Sequence, residues 1–441
     1  MNVQVPYGKR SISVEIPEEN FLGILKGKKP APISNLQKAI QDVLRNPVGC
    51  RPLKEEVQDK KTVCIVVTDI TRPNCYSQLL PVLLRELESG GISNEQVTIL
   101  VGTGLHRPNT KEELEQMLGS DIVSTIKIVN HRADCKDELS YLGQTSQGCP
   151  IWVNCELIRA DYVICTGVLE PHFWAGFSGG RKVIGIGCAG DETIRFLHSP
   201  QIFEKKDVQM GNIKGNFFHE VLTEIAIRAG ARFMINLVLN EEKQACFVFG
   251  GEIQKAFEYG VELAQQVFQV EIPQQADIVI AGVGYPKSTN LYQGTRGASC
   301  IAFSPYPAAK KGGMVITPLP AEEGAGRGIG EERFRTLISE AESIDSFIQY
   351  CLLHGYPAGA QRAFLLALTM RYCEVVVTDT IDPAAAAELK LTVLPTIETA
   401  LKYGYQKYGE TAKVFVIPDG AKLFSKHKTA GGDIDIEHHA I

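Results

Sequence analysis

Long apolar stretches are missing from this sequence, and so is an excess of basic residues. No run approaches the roughly 20 apolar residues that a helix needs to cross a bilayer, so no membrane partner is expected. The 45 Lys and Arg residues are outnumbered by 51 Asp and Glu, which gives a net charge of −6 and argues against nucleic acid as a partner. The first residues lack the basic and apolar segments of a secretory signal, so a cytoplasmic protein is expected.

Paired cysteine motifs are missing as well. The 12 cysteines contain no C-x-x-C pair, and several of them (Cys64, Cys165 and Cys373) lie in or beside apolar runs typical of strands. This distribution excludes the spacing of a zinc site or a disulfide framework and predicts reduced thiols in a core.

Apolar runs typical of buried strands alternate with helical patterns along most of the chain, which is the rhythm of an α/β fold with parallel sheets. At 441 residues the chain is long enough for two domains. The alternation of strand and helix patterns is interrupted at 272–276 and then resumes. We therefore predict an N-terminal α/β domain over 1–272 and a C-terminal α/β domain over 273–418. The polar tail, 419–441, is expected to pack on the N-terminal domain or to fray.

The periodicity also predicts individual elements. Strands are predicted over 10–16, 62–67, 97–101, 126–129, 161–166, 277–281, 314–317, 374–378 and 413–417. Helices are predicted over 35–44, 78–89, 111–118, 191–198, 219–229, 251–268, 331–341, 343–353, 359–371 and 396–408. A hairpin is predicted within 233–249.

A glycine-rich turn that ends in a lysine follows the predicted strand 161–166. Its Ser-Gly-Gly at 178–180 has little side-chain bulk, so several backbone N–H groups can converge on an anion. His172 adds an acid–base group and Lys182 adds a nucleophilic amine. The turn lacks the spacing of a nucleotide-binding phosphate loop, and most Gly-Gly turns are ordinary turns, so a site here needs support from elsewhere in the chain.

Two other predicted strands end in turns with similar chemistry. Asp69 and Arg72 follow the strand 62–67, and His106 follows the strand 97–101. Each is ordinary alone, since an Asp–Arg pair on a surface contributes less than about 1 kcal/mol. Because the carboxyl ends of parallel strands share one edge of a sheet, the three turns together predict a site.

Two histidines in one site suit inversion of a stereocentre, because one accepts a proton while the other returns it. A positioned base typically contributes about 10²–10⁴-fold, which is too little to form a carbanion beside an ionised carboxylate. An electron or hydride sink is therefore required. No G-x-G-x-x-G motif opens a helix after a strand, and the glycine-rich segment 324–330 is interpreted as a flexible loop.

The chain resembles the nickel-pincer nucleotide lactate racemases and their homologues over nearly its full length. The resemblance is carried by five segments, which are 69–73, 104–107, 170–182, His198 and 290–296. It implies two Rossmann-like domains with parallel sheets and an active site in the cleft between them. It also implies a racemase or epimerase of a 2-hydroxy acid.

The resemblance further implies a cofactor, the nickel-pincer nucleotide (pyridinium-3,5-bisthiocarboxylic acid mononucleotide nickel), made by maturation proteins. Lys182 would tether this cofactor covalently through a thioamide. His198 would be the protein ligand to nickel, a metal that imidazole suits. The other residues that the resemblance assigns to cofactor binding are Ser178, Gly179, Gly180, Asp69, Thr71 and Arg72.

In the implied reaction, His106 and His172 are the general bases for the substrate hydroxyl. The α-hydrogen leaves as hydride to the cofactor, and the intermediate is a 2-keto acid. The residues that would hold the substrate are Arg72, Tyr292, Gln293 and Arg296. Relatives usually carry lysine at the position of Arg296, and a guanidinium keeps the positive charge while gripping a carboxylate in bidentate fashion.

Two alternatives belong to other functional classes. A non-catalytic carrier would bind the cofactor or a small acid without turnover, but such a protein needs neither His106 nor His172. A phosphate- or nucleotide-dependent transferase would use Gly179, Gly180 and Lys182 as its anion site. The absence of nearby carboxylates suited to Mg²⁺ in the sequence argues against the transferase.

Overall fold

The computed structural model describes residues 1–240, 242–357 and 360–428, without the side chain of Ile329. The chain forms two compact units. The first unit contains Lys28–His198 and Ile213–Val267, and the second unit contains Met1–Gly27, Ser199–Asn212 and the chain from Phe268 onward. The proposed domain limits, 1–272 and 273–418, follow chain order, whereas the compact units do not.

The first unit is built on a six-stranded sheet. Its strands lie in the spatial order Ala245–Glu252, Ala231–Leu239, Tyr162–Val168, Val63–Thr68, Val97–Gly102 and Lys127–Asn130. All neighbouring pairs are parallel except the first, which is the antiparallel hairpin predicted within 233–249. The central strands are runs of buried aliphatic residues, as expected for strands covered on both faces.

Helices and a short ribbon cover this sheet. The helices of the first unit are Leu36–Arg45, Leu53–Glu56, Tyr76–Ser89, Lys111–Leu118, Ser120–Thr125, Cys155–Arg159, Asp191–Leu197, Phe217–Arg228 and Lys255–Phe268, the last of which ends one residue beyond it. The ribbon pairs Leu139–Gln144 with Pro150–Asn154. The start of the helix at Lys111 is fixed by a capping box, in which Thr110 accepts from the Glu113 N–H and Glu113 bonds back to the Thr110 N–H.

The strand order of the first sheet contains a switch point. After Val63–Thr68 the chain adds two strands on one side and then crosses to add Tyr162–Val168 on the other side. In open α/β sheets, ligands bind outside the carboxyl ends of the strands where the order reverses in this way. The turns that follow Val63–Thr68, Val97–Gly102 and Tyr162–Val168 are the three turns singled out by the sequence.

The second unit has a six-stranded, fully parallel sheet of its own. Its strands lie in the spatial order Thr392–Leu394, Glu374–Thr378, Ala309–Pro318, Ala276–Ala281, Val414–Ile417 and Phe21–Ile24. The helices of this unit are Pro200–Phe203, Leu291–Gly294, Arg296–Ala302, Ile329–Ser339, Ile344–His354, Gln361–Tyr372, Pro383–Glu388 and Ile397–Tyr408. The predicted α/β class with parallel sheets is confirmed.

The amino-terminal segment belongs to the second unit through strand pairing. Asn2–Gly8 pairs with Arg10–Glu15 in a hairpin and runs parallel to Val283–Gly284. Near the other end of the chain, Phe424–His427 pairs with Gln269–Ile272. Part of the predicted tail is therefore a strand of the second unit, and residues 429–441 lie outside the described part of the chain.

Two expectations about chemistry can be compared with the fold. All twelve cysteines are free thiols, as predicted. Within the described ranges, no helix is both long enough and apolar enough to span a bilayer.

His131 is a histidine that the fold holds in its neutral form. Its ring is completely buried, with Nε2 2.9 Å from the Ala189 carbonyl oxygen and Nδ1 3.2 Å from the Asn154 amide nitrogen. Burial lowers the pKa of His131 to about 4. The ring is therefore a structural part of the first unit and carries no charge near neutral pH.

The buried His131 predicts a loss of stability in mild acid. The unfolded chain binds a proton at this residue near pH 6.5, whereas the folded chain does so only near pH 4. The contribution of the neutral His131 to the free energy of unfolding is therefore complete above about pH 6.5 and falls by about 3 kcal/mol as the pH drops to 4. Urea unfolding at pH 7, 6 and 5 measures this dependence, and His131→Gln should flatten it; an unchanged slope would contradict the assignment.

Candidate active site

Asp69 and His106 form a hydrogen-bonded pair on two adjacent turns. The His106 Nδ1 lies 2.5 Å from the Asp69 Oδ2, and the carboxylate is buried while 45% of the His106 side chain is exposed. Burial alone would raise the pKa of Asp69, but hydrogen bonds from His106 and Thr71, with the charges of His106 and Arg72, lower it overall. An ionised Asp69 keeps the proton of the neutral imidazole on Nδ1, so His106 presents the lone pair of Nε2 to solvent.

The same carboxylate organises the rest of its turn. Asp69 Oδ1 accepts hydrogen bonds from the Thr71 hydroxyl at 2.6 Å and from the Thr71 N–H at 3.1 Å. The sequence patterns paired Asp69 with Arg72, whereas the hydrogen bonds of this carboxylate go to His106 and Thr71. Thr71 and Arg72 are both exposed at the carboxyl edge of the sheet.

His172 is held in a different way. It lies in a small antiparallel pair, Pro171–His172 with Gly176–Phe177, and its Nδ1 accepts from the N–H of Ala175 at 3.2 Å and more weakly from that of Trp174 at 3.4 Å. Because Nδ1 accepts, the proton of the neutral ring lies on Nε2. The two histidines are therefore fixed in complementary tautomers, His106 with its proton on Nδ1 and His172 with its proton on Nε2.

The topology places the two histidines on either side of one strand. His106 follows Val97–Gly102 and His172 follows Tyr162–Val168, and Val63–Thr68 lies between these strands. Two strand spacings amount to roughly 10 Å, which long side chains at neighbouring turns can bridge to a small molecule. The side chains thus flank the switch point of the first sheet.

An aromatic cluster brings His172 and His198 together. Trp174 contacts both imidazoles edge to face, with ring centroids 5.7 Å from His172 and 5.8 Å from His198. Phe218 contacts the same two rings at 6.3 Å and 5.6 Å. The sequence analysis did not identify Phe218, which stands at the start of the helix Phe217–Arg228 and has no local signal of function.

His198 has the state expected of a metal ligand. Its Nδ1 donates to the Ile194 carbonyl oxygen at 2.9 Å, so the lone pair of the neutral ring is on Nε2. Burial, and to a lesser extent the charge of Lys182, lowers the pKa of His198 to about 4, so the ring is neutral near pH 7. No group of three or more His, Cys, Asp or Glu side chains within the described ranges is arranged to hold a metal ion.

The glycine turn has a backbone conformation that favours glycine. Gly179 and Gly180 have φ of 78° and 46°, in the left-handed region. Among the described residues, neither N–H group has a hydrogen-bond partner, so both can bind an anion. The Ser178 hydroxyl has a structural task instead, because it accepts from the Glu170 N–H and lies 3.0 Å from the Val168 carbonyl oxygen.

The sequence alone suggests that Arg181 adds positive charge to this turn as Lys182 does, but the structure directs it into the core. Its side chain is buried, stacks 3.6 Å above the Phe257 ring, and donates to His219 Nδ1 at 2.8 Å. It also donates to the Ala175 carbonyl oxygen at 3.0 Å. Arg181 therefore stabilises the conformation of the glycine turn from within the core, while its neighbour Lys182 is only partly buried.

A single π-helical turn, Val183–Gly187, connects Lys182 to the turn of His106. The Gly187 carbonyl oxygen accepts from the Gly104 N–H at 2.8 Å. A Cβ on Gly187 would lie 3.2 Å from the Gly102 Cα, so the two segments pack backbone against backbone. Such turns are frequent at functional sites, and here one fixes the position of the lysine relative to the histidine.

Asn236 is a buried amide beside the glycine turn. Its side chain is completely buried, and neither Nδ2 nor Oδ1 has a hydrogen-bond partner within the described part of the chain. A Cβ on Gly179 would lie 2.7 Å from Asn236 Nδ2. Native interiors rarely leave both ends of an amide unsatisfied. Asn236, the two glycine N–H groups, Lys182 and the neutral His198 therefore fit a phosphate-bearing cofactor with a metal.

Exchange of Asn236 for leucine is predicted to separate folding from cofactor binding. Leucine keeps the approximate volume and removes two unsatisfied polar atoms, a change that can be neutral or stabilising. We expect an unchanged or higher melting temperature for the protein without cofactor, and lower cofactor occupancy by intact mass after co-expression with the maturation proteins. Asn154→Leu is the matched control, since the Asn154 side chain is buried but hydrogen-bonded to His131 and Glu156, and its loss should destabilise the fold. Full occupancy in Asn236→Leu would contradict the assignment.

The substrate-binding residues predicted for the second unit lie on two short helices. Tyr292 and Gln293 are in Leu291–Gly294, whose start is capped by the Asn290 side chain, and Arg296 begins the next helix. All three side chains are partly buried. The adjacent segment 324–330, interpreted as a flexible loop, supports these helices, because the Gly324 carbonyl oxygen accepts from the Leu291 N–H at 2.9 Å.

Comparison with known sequences identifies relatives over almost the whole chain. Residues 7–211 match the lactate racemase N-terminal domain, and residues 272–424 match the lactate racemase C-terminal domain. The lactate racemase of Lactiplantibacillus plantarum is 31% identical over 430 residues, which are 96% of this chain and 99% of that protein. The lactate racemase of Thermoanaerobacterium thermosaccharolyticum is 28% identical over 434 residues, which are 97% of this chain and all of that protein.

Solved structures agree with this assignment. The lactate racemase apoprotein of T. thermosaccharolyticum superposes with a TM-score of 0.87 at 28% identity, covering 97% of this chain and 100% of that chain. A protein of Thermotoga maritima superposes with a TM-score of 0.63 at 19% identity over 91% of this chain and 100% of that chain, which shows a similar fold. The sequence matches in both halves and the relative above 30% identity together show that this chain belongs to the lactate racemase family, a family of isomerases.

Proposed function

We propose that this protein is a racemase or epimerase of a small 2-hydroxy acid, and that it acts through a 2-keto acid intermediate. The observation that carries the proposal is the pair of histidines at the switch point of the first sheet. Asp69 fixes the proton of the neutral His106 ring on Nδ1, and backbone N–H groups fix the proton of the neutral His172 ring on Nε2. Two relatives that match nearly the whole chain are named lactate racemases.

His106 is the better placed of the two to accept the hydroxyl proton of a substrate. When Nε2 takes up a proton, the ring becomes a cation, and the ionised Asp69 at 2.5 Å stabilises it. The exposed half of the ring leaves room for the substrate hydroxyl. The Asp69–His106 pair therefore supplies both the base and its electrostatic support.

His172 is suited to donate a hydrogen bond from Nε2 to the substrate oxygen. Its Nδ1 accepts from Ala175 and Trp174, so protonation at Nδ1 would break both bonds. The neutral ring with the proton on Nε2 is thus its preferred state. To act as the base for the opposite enantiomer, His172 takes its other tautomer, with the proton on Nδ1 and the lone pair on Nε2, and loses its two hydrogen bonds from backbone N–H groups.

The residues of the first unit fit the nickel-pincer nucleotide implied by the resemblance. When bound, this cofactor supplies a nickel-centred hydride acceptor, which removes the need for a free carbanion. Lys182 would hold it covalently and His198 would bind the nickel through Nε2. Gly179, Gly180 and Asn236 would meet its anionic part. Because the protein alone cannot make this group, maturation proteins are expected partners.

The substrate carboxylate requires a positive charge close to the histidines. Arg72 is exposed on the turn that also carries Asp69, so its guanidinium can orient a carboxylate near His106. Tyr292, Gln293 and Arg296 of the second unit are proposed as further substrate contacts on the strength of the resemblance. Those three contacts stay predictions.

The proposal is tested with protein that is co-expressed with the cofactor maturation proteins. Single enantiomers of lactate and of longer aliphatic, aromatic, dicarboxylic and sugar-derived 2-hydroxy acids are incubated with the protein and separated by chiral chromatography. We expect conversion of at least one acid to an equilibrium mixture, dependent on the maturation proteins. Bound cofactor and nickel with no conversion of any acid would instead favour a carrier.

A further inference from the structure

The second unit contains a buried arginine without a carboxylate partner in the hydrogen-bond network around it. Only 4% of Arg362 is exposed, on the helix Gln361–Tyr372. Its Nη2 donates to the Tyr292 carbonyl oxygen at 2.9 Å and to the Thr295 hydroxyl at 3.2 Å. Its Nε and Nη1 are buried without a hydrogen-bond partner within the described ranges. A buried guanidinium in this state is strongly disfavoured unless an anion completes it.

Two further cations lie in the same place. Burial first, and then the charge of Arg296, lowers the pKa of Arg362 to about 9. The same two causes, in the same order, lower the pKa of Lys287. Arg296, Lys287 and Arg362 also all act on the buried thiol of Cys300. These three cations, named here the cation cluster, therefore surround one small region of the second unit.

Charged and aromatic groups of neighbouring segments also act on the cluster. Lys287 is affected by Asp419, which is favourable, but also by Lys422, which adds to the repulsion. The Arg362 guanidinium carbon lies 5.7 Å from the centroid of the Tyr292 ring, which is a weak cation–π contact. None of these groups is an acceptor for the Nε and Nη1 atoms of Arg362, which have no hydrogen-bond partner among the described residues.

The cluster lies where the second sheet can bind a ligand. From Ala276–Ala281 the chain adds strands on one side and then returns to Val414–Ile417 on the other side, which makes a switch point. Lys287 follows the first of these strands, and Asp419 and Lys422 follow the second. The hydroxyls of Ser288 and Thr317 are buried here without a hydrogen-bond partner in the described part of the chain. Thr317 stands near the end of Ala309–Pro318, with its methyl group 4.0 Å from the Cβ position of Gly297.

A substrate with one carboxylate does not satisfy all the donors of the cation cluster. If Arg296 binds the carboxylate of a 2-hydroxy acid, the buried Nε and Nη1 of Arg362 still have no acceptor among the described residues. We propose that the cation cluster is a binding site for a second anionic group, so that the preferred substrates are 2-hydroxy acids that carry an additional carboxylate or phosphate. The substrate assignment rests on the proposed function, whereas the binding of dianions does not.

Calorimetry tests the site with three probes at constant ionic strength. Malate carries a second carboxylate, 3-phosphoglycerate carries a phosphate, and lactate carries neither. Wild-type protein, with and without cofactor, should bind malate or 3-phosphoglycerate at least tenfold more tightly than lactate, and the preferred dianion identifies the second group. Equal affinities for all three probes in both forms would overturn the proposal.

Arg362→Met removes the charge and retains a long apolar side chain. This variant should bind dianions and lactate with about equal affinity. Arg371→Met is the matched control, because Arg371 lies on the same helix and pairs with Glu204. This control should keep the wild-type preference. Two results with folded Arg362→Met would contradict the proposal. The variant could keep the preference for dianions, or it could lose affinity for lactate and dianions equally. Either result would mean that Arg362 only positions Tyr292.

If Arg362→Met does not fold, a measurement on wild-type protein alone still tests the proposal. Malate or 3-phosphoglycerate should raise the melting temperature more than lactate does at the same concentration and ionic strength, and an equal rise would overturn the proposal. Preferential dianion binding without racemisation of any acid would support the site and refute the proposed function. Racemisation of lactate without any preference for dianions would refute the site alone.

Discussion

Replacing His106 by glutamine is expected to lower kcat for racemisation by about 10²–10⁴-fold, the usual contribution of a positioned general base. Glutamine is close in size to histidine and can still hydrogen-bond Asp69, but it cannot take up a proton near neutral pH. Because Lys182 and His198 lie on other segments, cofactor loading should not change. Intact mass and nickel content therefore measure loading, while chiral chromatography measures turnover.

Asp69→Asn tests whether the carboxylate sets the tautomer of His106. An asparagine amide can donate to Nδ1 of the ring, which would move the imidazole proton to Nε2 and remove the base. Activity should fall by a factor similar to that of His106→Gln, and the double variant should lose little more, since both changes disable one unit. His354→Gln, on the exposed end of a helix in the second unit, is the control for a general effect of losing a histidine. Near-normal turnover in both single variants would refute the assigned base.

The elements of the fold could largely be predicted from sequence because their signals are local. The aliphatic run at 62–67 and the helical pattern at 111–118 appear in the structure as Val63–Thr68 and Lys111–Leu118. The membership of Met1–Gly27 in the second unit could not be predicted. It depends on pairing between Asn2–Gly8 and Val283–Gly284, which are separated by most of the chain and show no local pattern.

The site was predictable to the extent that its residues lie on turns after strands. His106, His172 and Lys182 share that property, so their turns could be placed at one edge of a sheet. Asn236 lies within an ordinary buried strand, and only its unsatisfied amide beside Gly179 reveals it. The sequence shows that Arg181 is positively charged, but it does not show that the side chain points into the core and stacks on Phe257. Burial and side-chain direction depend on tertiary contacts, which a single sequence does not record.

Lys182→Arg is expected to abolish the covalent adduct and to lower turnover by more than about 10³-fold, since the hydride acceptor contributes more than a single base does. Arginine keeps the positive charge beside His198, so the electrostatics of the site change little. A guanidinium is a far weaker nucleophile than an amine, so the thioamide should not form. Because Lys182 is only partly buried, the fold should tolerate the exchange.

Intact mass spectrometry of protein co-expressed with the maturation proteins provides the test. Wild-type protein and Lys111→Arg, an exposed control that is paired with Glu115 in the same unit, should carry the mass increase, and Lys182→Arg should not. His198→Ala should give the converse result, with the adduct retained and nickel reduced, because His198 holds the metal and not the tether. An adduct that persists in Lys182→Arg would place the tether on another residue. Loss of both adduct and nickel in each variant would show that the two side chains act together in loading, as their electrostatic coupling allows.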